Sequence, residues 1–295
     1  MMKKSNLKKK VIAVVGPTAS GKTAFAVELA NKINGEIISA DSRLVYRGFD
    51  IGTAKPTKAE MQEVPHYMID IVEPECDYTA ALYAREASKI IDSIISRGKT
   101  PIVAGGTGLY FRLLLENYVM PEVEPNYDLR KELEKYSSED LHNMLSGLDA
   151  ESAAKIYSTD KKKLIRALEI VKTLGKPISE VRGVSDESDY DVEWIGLNFP
   201  REELYDRINR RVDVMIDMGL VEETKNLLKK HGNISNIINT IGYREITKYL
   251  NAEMSLEEAK NLLKQNTRNY AKRQLTWFRK NSVIKWNVYP EKLKK

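Results

Sequence analysis

The sequence predicts an α/β fold, a parallel sheet flanked by helices, with an all-helical insertion domain. Short apolar runs rich in β-branched residues alternate with segments in which apolar residues recur at helical spacing. That alternation is typical of parallel sheets with helices on both faces. A glycine-rich loop follows the first of these runs directly, and the middle of the chain has helical periodicity without a convincing strand.

The elements of the predicted core follow in chain order. Strands are expected at residues 11–15, 36–40, 100–104, 193–199 and 283–286, where the apolar runs are short and bounded by turn residues. Helices are expected at residues 24–33, 80–97, 201–230 and 256–279, where one apolar stripe recurs every three or four residues. The core domain is therefore predicted to comprise residues 1–117 and 192–295, and residues 118–191 to form the helical insertion domain.

Composition excludes several classes of protein. With 42% hydrophobic and 30% charged residues in 295, the chain is typical of a globular protein rather than a disordered one. No apolar run approaches the length of a membrane span, and the run after the N-terminal lysines is too short for a signal peptide. A single cysteine, Cys76, cannot form an internal disulfide and is expected to be a buried thiol. We therefore expect a cytoplasmic protein without a membrane partner.

Charge is unevenly distributed along the chain. Residues 201–295 contain 20 Lys and Arg against 12 Asp and Glu, whereas the whole chain has a net charge of only +5. Such asymmetry is typical of a polyanionic partner for the C-terminal third. A solvated face on a lysine-rich protein would give the same count, so composition alone leaves both interpretations open.

The glycine-rich loop matches the P-loop pattern in full, between a predicted strand and a predicted helix. This predicts a P-loop NTPase-like core. Glycines allow successive backbone N–H groups to point into one concavity, and the start of the helix adds a positive dipole end. The lysine can reach terminal phosphates and the threonine hydroxyl can bind a metal ion. The predicted phosphate-binding residues are Gly16, Pro17, Thr18, Ala19, Ser20, Gly21, Lys22 and Thr23, with Thr23 as the metal ligand.

A P-loop alone indicates a nucleotide such as ATP, but a standard ATPase also needs an aspartate after a further apolar strand. Residues 68–71, with Asp70, fit that role weakly, and the third strand ends in Gly-Gly-Thr instead. A small-molecule kinase or a diphosphate-binding enzyme that does not hydrolyse ATP therefore remains. Asp41 follows the second strand directly, where it is placed either to accept a proton or to cap the next turn.

Nine separated blocks then resemble the tRNA dimethylallyltransferases, also called tRNA isopentenyltransferases. They occur in the family's order from residue 16 to about residue 286, which is nearly the whole chain. The blocks include the P-loop, Ala40-Asp41-Ser42-Arg43, Asp50-Ile51-Gly52-Thr53-Ala54-Lys55-Pro56, Gly105-Gly106-Thr107-Gly108, Arg166-Ala167-Leu168-Glu169, Gly242-Tyr243-Arg244-Glu245 and Ala271-Lys272-Arg273-Gln274.

The resemblance implies an activity. Members of the family transfer the dimethylallyl group of dimethylallyl diphosphate to N6 of adenosine 37, next to the anticodon, in tRNAs that read codons beginning with U. Mg²⁺ takes part, and the P-loop would hold the diphosphate. By the same resemblance Asp41 is the general base, and Lys22, Thr23 and Arg211 complete the catalytic set. An ion pair of Arg211 with Asp206, Asp213 or Asp217 is the structural alternative.

The resemblance also implies a tRNA-binding set and a monomer. One departure from the family concerns Leu44, which stands where many relatives have a polar residue such as glutamine. The rival functions are a kinase for a small metabolite, an enzyme that prenylates free adenine nucleotides, and a non-catalytic RNA-binding module. The expected tRNA-binding residues are Asp41, Ser42, Arg43, Leu44, Thr107, Arg130, Lys163, Arg166 and Arg244.

Overall fold

The computed structural model describes residues 8–121, 123–184 and 189–288. The chain divides into two compact units. Unit 1 runs up to Leu114 and resumes at Asp189, and unit 2 lies between these two points in the sequence.

Unit 1 contains a six-stranded sheet in the order β3-β2-β4-β1-β7-β8, and every neighbouring pair is parallel. β2 is entirely buried, and β4 and the second half of β1 are largely buried, as expected for a sheet covered by helices on both faces. The predicted fold class is confirmed. The strands are β1 Lys9–Val15, β2 Gly35–Ala40, β3 His66–Tyr67, β4 Thr100–Gly105, β5 Tyr118–Val119, β6 Gly183–Val184, β7 Tyr190–Asn198 and β8 Lys285–Val288.

Helices cover the sheet in unit 1 and make up most of unit 2. In unit 1 they are α1 Lys22–Ile33, α2 Lys58–Met61, α3 Ala80–Ser96, α4 Gly108–Leu115, α10 Arg201–Asp217, α11 Leu220–His231, α12 Ser235–Ile238, α13 Tyr243–Leu250 and α14 Leu256–Phe278. In unit 2 they are α5 Tyr127–Leu133, α6 Ser138–Leu148, α7 Ala150–Ala153, α8 Lys161–Leu174 and α9 Ile178–Val181.

Apolar cores among the described residues hold these elements together. Ala26 and Ala30 of α1 pack with Leu204 and Ile208 of α10 over the sheet residue Ile102. A second core in unit 1 forms among the helices that follow β7, around the buried rings of Phe49 and Tyr243. Unit 2 has its own core, so it does not depend on the sheet for burial of its apolar side chains. The fully buried leucines of that core are Leu133, Leu141, Leu145, Leu164 and Leu168.

Some details differ from the pattern-based expectation. The predicted helix over residues 201–230 is two helices, because Gly219 adopts φ +100° and begins α11 with a left-handed residue. Residues 68–71 are not a strand, since Met68 and Asp70 have φ of +64° and +55°. Asp70 forms an ion pair with Lys55. The expectation of a buried Cys76 is wrong: its side chain is exposed, and its carbonyl accepts a hydrogen bond within unit 1.

Unit 2 also contains a feature that periodicity did not indicate. β5 and β6 pair in antiparallel fashion, with Tyr118 opposite Val184 and Val119 opposite Gly183. The two strands therefore bring the beginning and the end of this unit together. Across the described ranges, no helix combines the length and the apolar character that a membrane span requires.

Candidate functional site

Three strands end at the same level on one edge of the sheet. Gly105 of β4 pairs with Val15 of β1 on one side and with Ala40 of β2 on the other. Because neighbouring strands are about 4.8 Å apart, the chain after β1 and the chain after β2 begin about 10 Å from each other. That edge is where parallel α/β sheets bind their ligands. The P-loop, Gly106 and Asp41 follow these three strands.

The P-loop has the backbone geometry that its glycines require. Gly16 lies at φ +153°, and a Cβ there would come within 2.3 Å of the carbonyl oxygen of Leu197. No other residue type fits that position without displacing β7. Gly21 then adopts a left-handed conformation, and α1 begins at Lys22. The loop therefore directs the N-terminus of a twelve-residue helix at the pocket.

A pocket of about 1000 Å³ lies over these strand ends, entirely within unit 1. Gly16 and Pro17 are buried at the base of the loop, and Thr107 directly follows the lining residue Gly106. The predicted site residues of unit 1 are thus brought together. Those that line the pocket are Thr18, Ala19, Ser20, Gly21, Lys22, Thr23, Asp41, Ser42, Arg43, Leu44, Arg211 and Arg244.

Lys22 and Arg211 make the pocket strongly cationic. Burial, together with the positive charge of Arg211, lowers the pKa of Lys22 to about 7, while the negative charge of Asp41 opposes the shift. Burial likewise lowers the pKa of Arg211, against the opposing charges of Glu60 and Asp41. The Lys22 ammonium donates to the carbonyl of Pro17 at 2.6 Å. Two positive charges that repel each other in a buried site favour an anionic ligand between them.

The structural alternative for Arg211 was an ion pair with an aspartate of α10. Asp206 pairs instead with Arg210 at 2.7 Å, and Asp213 pairs with Lys260 and Lys264. The Arg211 guanidinium faces the pocket and makes a long contact of 3.5 Å to the carbonyl of Ala54.

One turn earlier on the same helix, Arg207 supports the P-loop. Its Nε donates to the carbonyl of Ala19 at 2.9 Å, and its guanidinium lies 4.3 Å from the ring centroid of Phe199. Arg207 therefore stabilises the P-loop through its hydrogen bond to Ala19, whereas Arg211 contributes positive charge to the pocket.

Asp41 caps a turn after β2, which is one of the two interpretations of its position, and it also lines the pocket. Its Oδ1 accepts the backbone N–H of Arg43 at 2.8 Å, which closes a turn after β2. Among the described residues its Oδ2 has no hydrogen-bond partner, and the side chain lines the pocket. The next residue is fixed as well, because the hydroxyl of Thr107 accepts the N–H of Ser42 at 3.0 Å. The turn thus fixes the orientation of the carboxylate and leaves its Oδ2 without a hydrogen-bond partner among the described residues.

The wall opposite the sheet comes from α13 and α14. Tyr270 and Arg273 line the pocket, and burial together with the charge of Asp41 raises the pKa of Tyr270 to about 12. Arg244 also lines the pocket, and its Nε donates to the buried carboxylate of Glu245 at 2.9 Å. Tyr270 and Arg273 were not singled out from the sequence, because only their packing on the sheet brings them to the site. The one signal for Arg273 was the Ala271–Gln274 block, which begins directly after Tyr270.

Two of the predicted tRNA-binding residues in unit 2 belong to a buried ion-pair network. Arg130 makes two hydrogen bonds, of 2.9 and 3.0 Å, to the fully buried carboxylate of Glu169. Arg166 also pairs with Glu169 and donates to the carbonyl of Val123 at 2.8 Å. Burial acts to raise the pKa of Glu169, but hydrogen bonds from Arg130 and Arg166 outweigh it and hold that pKa below its usual range. Both arginines therefore stabilise unit 2.

Lys163 differs from these arginines. Its side chain is 68% exposed and pairs with Asp160, the residue that caps the N-terminus of α8. An exposed pair of this kind contributes little to stability. The ammonium of Lys163 is available to an external anion at small cost.

We expect Arg130→Ala to lower the stability of the protein and Lys163→Ala to leave it nearly unchanged. Arg130→Ala should lower the free energy of unfolding by about 1–3 kcal/mol, since it removes two hydrogen bonds from a buried carboxylate. Lys163→Ala should change it by less than about 0.5 kcal/mol. Urea unfolding followed by circular dichroism measures both. Equal losses of stability in the two variants would contradict the division of roles.

The pocket offers oxygen donors that suit Mg²⁺. The hydroxyl of Thr23 and the carboxylate of Asp41 both line it. Within the described residues, no group of three or more His, Cys, Asp or Glu side chains is placed to hold a metal ion by itself. Mg²⁺ typically takes one or two protein oxygens and completes its shell with phosphate oxygens and water. The residues present therefore fit a magnesium ion that is held jointly with a bound diphosphate.

The chain is a P-loop α/β protein. Its parallel sheet has a P-loop after the central strand β1, a cationic pocket at the strand ends, and the carboxylate of Asp41 two strands away. Residues 44–281 match the family described as IPP transferase. A tRNA dimethylallyltransferase of Pelotomaculum thermopropionicum is 46% identical over 97% of this chain and 92% of its own. A tRNA dimethylallyltransferase of Thermoanaerobacter sp. strain X514 is 47% identical over 94% of this chain and 90% of its own.

Solved structures agree with these sequence matches. The tRNA isopentenylpyrophosphate transferase of Bacillus halodurans is 43% identical, with a TM-score of 0.72 over 95% of this chain and 90% of its own. A eukaryotic dimethylallyltransferase acting on tRNA is 28% identical, with a TM-score of 0.84 over 97% and 75%. The chain belongs to the IPP transferase family, whose matched members are tRNA dimethylallyltransferases, and it is an enzyme of that family.

Proposed function

We propose that the enzyme transfers the dimethylallyl group from dimethylallyl diphosphate to N6 of adenosine 37 in tRNA. The acceptor base lies 3′ of the anticodon in tRNAs that read codons beginning with U. The products are N6-(dimethylallyl)adenosine and diphosphate. The observation that carries this proposal is the placement of a cationic P-loop and an aspartate on one sheet edge, after strands whose ends lie about 10 Å apart. Such a gap accommodates a small group between its leaving group and its acceptor.

The cationic side of the pocket suits the leaving group. Breaking the allylic C–O bond leaves negative charge on the diphosphate, and this charge needs donors that are already oriented. Backbone N–H groups at the start of α1, the ammonium of Lys22 and the guanidinium of Arg211 are placed to provide them. Thr23 would hold Mg²⁺ together with the diphosphate oxygens, and the ion would supply further charge neutralisation for them.

Asp41 suits the acceptor. The exocyclic amine of adenine is a poor nucleophile until a base takes one of its protons. Asp41 lines the pocket, and one of its oxygens has no hydrogen-bond partner among the described residues. The proton moves from N6 to the Asp41 carboxylate as N6 bonds to the allylic carbon. An adenine within a folded anticodon loop must be turned out of its stack to reach this depth.

Basic side chains support binding of a large polyanion rather than a free nucleotide. Arg43, Arg244 and Arg273 line the pocket on its acceptor side, where Tyr270 adds an aromatic ring. Arginine and lysine bind RNA through its phosphates, and aromatic rings stack on unpaired bases. We propose that Lys163 of unit 2 also contacts tRNA. We further propose that the enzyme acts as a monomer in the cytoplasm.

A three-way acceptor assay tests the proposal. Protein, Mg²⁺ and radiolabelled dimethylallyl diphosphate are incubated with unmodified tRNA, with tRNA in which adenosine 37 is replaced by guanosine, or with AMP. We expect label only in the first tRNA. Label in AMP would favour the enzyme that prenylates free nucleotides. If no acceptor is labelled and ATP is consumed with a small metabolite, the kinase would replace the proposal.

Binding of the diphosphate should depend on pH through Lys22. With a pKa of about 7, its amine is mostly neutral above that pH in the free protein, and the anionic ligand restores the charge. Binding should therefore take up close to one proton and weaken about tenfold per pH unit between pH 7.5 and 9. Calorimetry with dimethylallyl thiolodiphosphate in two buffers of different ionisation enthalpy measures the uptake.

Lys22→Arg is the matched control for this measurement. A guanidinium keeps its charge throughout the pH range, so its ligand should bind without proton uptake. Proton uptake that is equal in the two proteins would assign the titration to another group.

A further inference from the structure

Gln274 connects two of the chain segments that form the pocket. The residue lies in α14 and is only 5% exposed. Its Oε1 accepts the backbone N–H of Thr18 at 2.8 Å, and its Nε2 donates to the carbonyl of Gly106 at 3.0 Å. Both polar atoms of this buried amide are therefore used between the P-loop and the end of β4.

The position of Gly106 extends this connection to the acceptor side. β4 lies between β1 and β2, so Gly106 lies between the P-loop and Asp41. The next residue, Thr107, donates its N–H to the carbonyl of Ala40 at 3.0 Å and accepts the N–H of Ser42 at 3.0 Å. A continuous set of contacts thus runs from the P-loop, through the glutamine and the end of β4, to the Asp41 turn.

This contact also limits how the P-loop can bind its ligand. The N–H of Thr18 is occupied by Gln274. The backbone donors for the diphosphate must therefore come from the later residues of the loop, where α1 begins. Gln274 acts on the orientation of the loop through its first half, and the second half holds the ligand.

We propose that Gln274 is a positioning residue that sets the spacing between the diphosphate-binding loop and Asp41. This rests on the proposed function, in which the allylic carbon must lie between the two. A misplacement of about 1 Å between reacting groups can cost a hundred-fold in rate. The effect falls on the transfer step, because each substrate still meets its own half of the pocket.

Gln274→Met removes both hydrogen bonds and keeps the length and volume of the side chain. We expect kcat for dimethylallyl transfer to fall about a hundred-fold, while KM for the donor and Kd for tRNA stay within about threefold. The amide hydrogen of Thr18 should exchange faster, because its acceptor is gone. A kcat within about threefold of the unaltered enzyme would overturn the proposal, as would a loss confined to KM.

Gly106→Ala provides a second approach that leaves Gln274 in the chain. A Cβ at this position would lie 2.1 Å from the Gln274 Nε2, so the amide must move out of its place between the two segments. We expect the same loss in kcat. The double variant Gly106→Ala/Gln274→Met should have a kcat little lower than that of either single variant, because both substitutions remove the same contact. Losses that simply multiply would show that the two residues act separately and would overturn the proposal.

Thr276→Ala is the matched control on the same helix. Its exposed hydroxyl donates to the carbonyl of Lys272 within α14, so kcat should not change. Failure of the unaltered enzyme to label tRNA would defeat the proposed function. Labelling by the unaltered enzyme with full kcat in both Gln274→Met and Gly106→Ala would defeat only the role of Gln274.

Discussion

Asp41→Asn should lower the rate of dimethylallyl transfer by about a thousand-fold while tRNA binding stays nearly unchanged. General bases contribute roughly 10²–10⁴ in rate, and an amide cannot accept the proton of the adenine amine. Asparagine keeps the shape of the side chain and can still accept the N–H of Arg43, so the turn after β2 should remain. Single-turnover transfer with saturating tRNA measures the chemical step separately from binding.

Asp92→Asn is the control for loss of an aspartate charge elsewhere in unit 1. Asp92 lies in α3, half exposed and paired with Lys9. Its removal should leave the rate of transfer unchanged. If Asp41→Asn retains turnover close to that of Asp92→Asn, the base must be another group, and the carboxylate of Asp41 would be reduced to a structural role.

Arg211→Ala should have the second largest effect. Removing one preorganised donor to a developing charge typically costs about a hundred- to a thousand-fold. Among the described residues Arg211 forms no ion pair and makes one long contact of 3.5 Å to the carbonyl of Ala54, so we expect its charge to act on the ligand. We expect kcat/KM for dimethylallyl diphosphate to fall by that factor. The pKa of Lys22 should rise, since the repelling charge of Arg211 is gone.

Arg201→Ala tests whether the position of the charge matters. Arg201 begins the same helix, is exposed, and stacks on the ring of Tyr205 at 5.2 Å from its centroid. This change alters the net charge equally, but outside the pocket lining. If kcat/KM falls equally in Arg201→Ala and Arg211→Ala, the activity depends on net charge and not on a contact between Arg211 and the diphosphate.

The part of the fold that surrounds the P-loop was predictable because its signals are local. A β-branched run followed by a glycine-rich loop defines β1, the loop and α1 within a few residues of sequence. Asp41 could be placed next to the P-loop for a similar reason, since the carboxyl ends of parallel strands meet at one edge. Its double use, in a turn and in the pocket, could not be read from its neighbours alone.

Other features depend on contacts between distant segments. Gln274 meets Thr18 across 256 positions of sequence, and no local pattern indicates which face of a 23-residue helix will meet the P-loop. The same holds for Arg130, because its buried partner Glu169 lies 39 positions away and appears in the sequence as an ordinary helical glutamate. Residues 68–71 form a turn rather than the predicted strand. Met68 and Asp70 adopt left-handed backbone conformations, which the hydropathy of a sequence does not indicate.

The short pairing of β5 with β6 has a consequence for protein engineering. Opposite residues in an antiparallel pair lie only about 5 Å apart, so the chain segments on either side of the helices of unit 2 lie side by side at this pair. Two-residue turns routinely join strands at that separation. We therefore expect that the chain between Val119 and Gly183 can be replaced by a short turn or by another helical module with closely spaced termini.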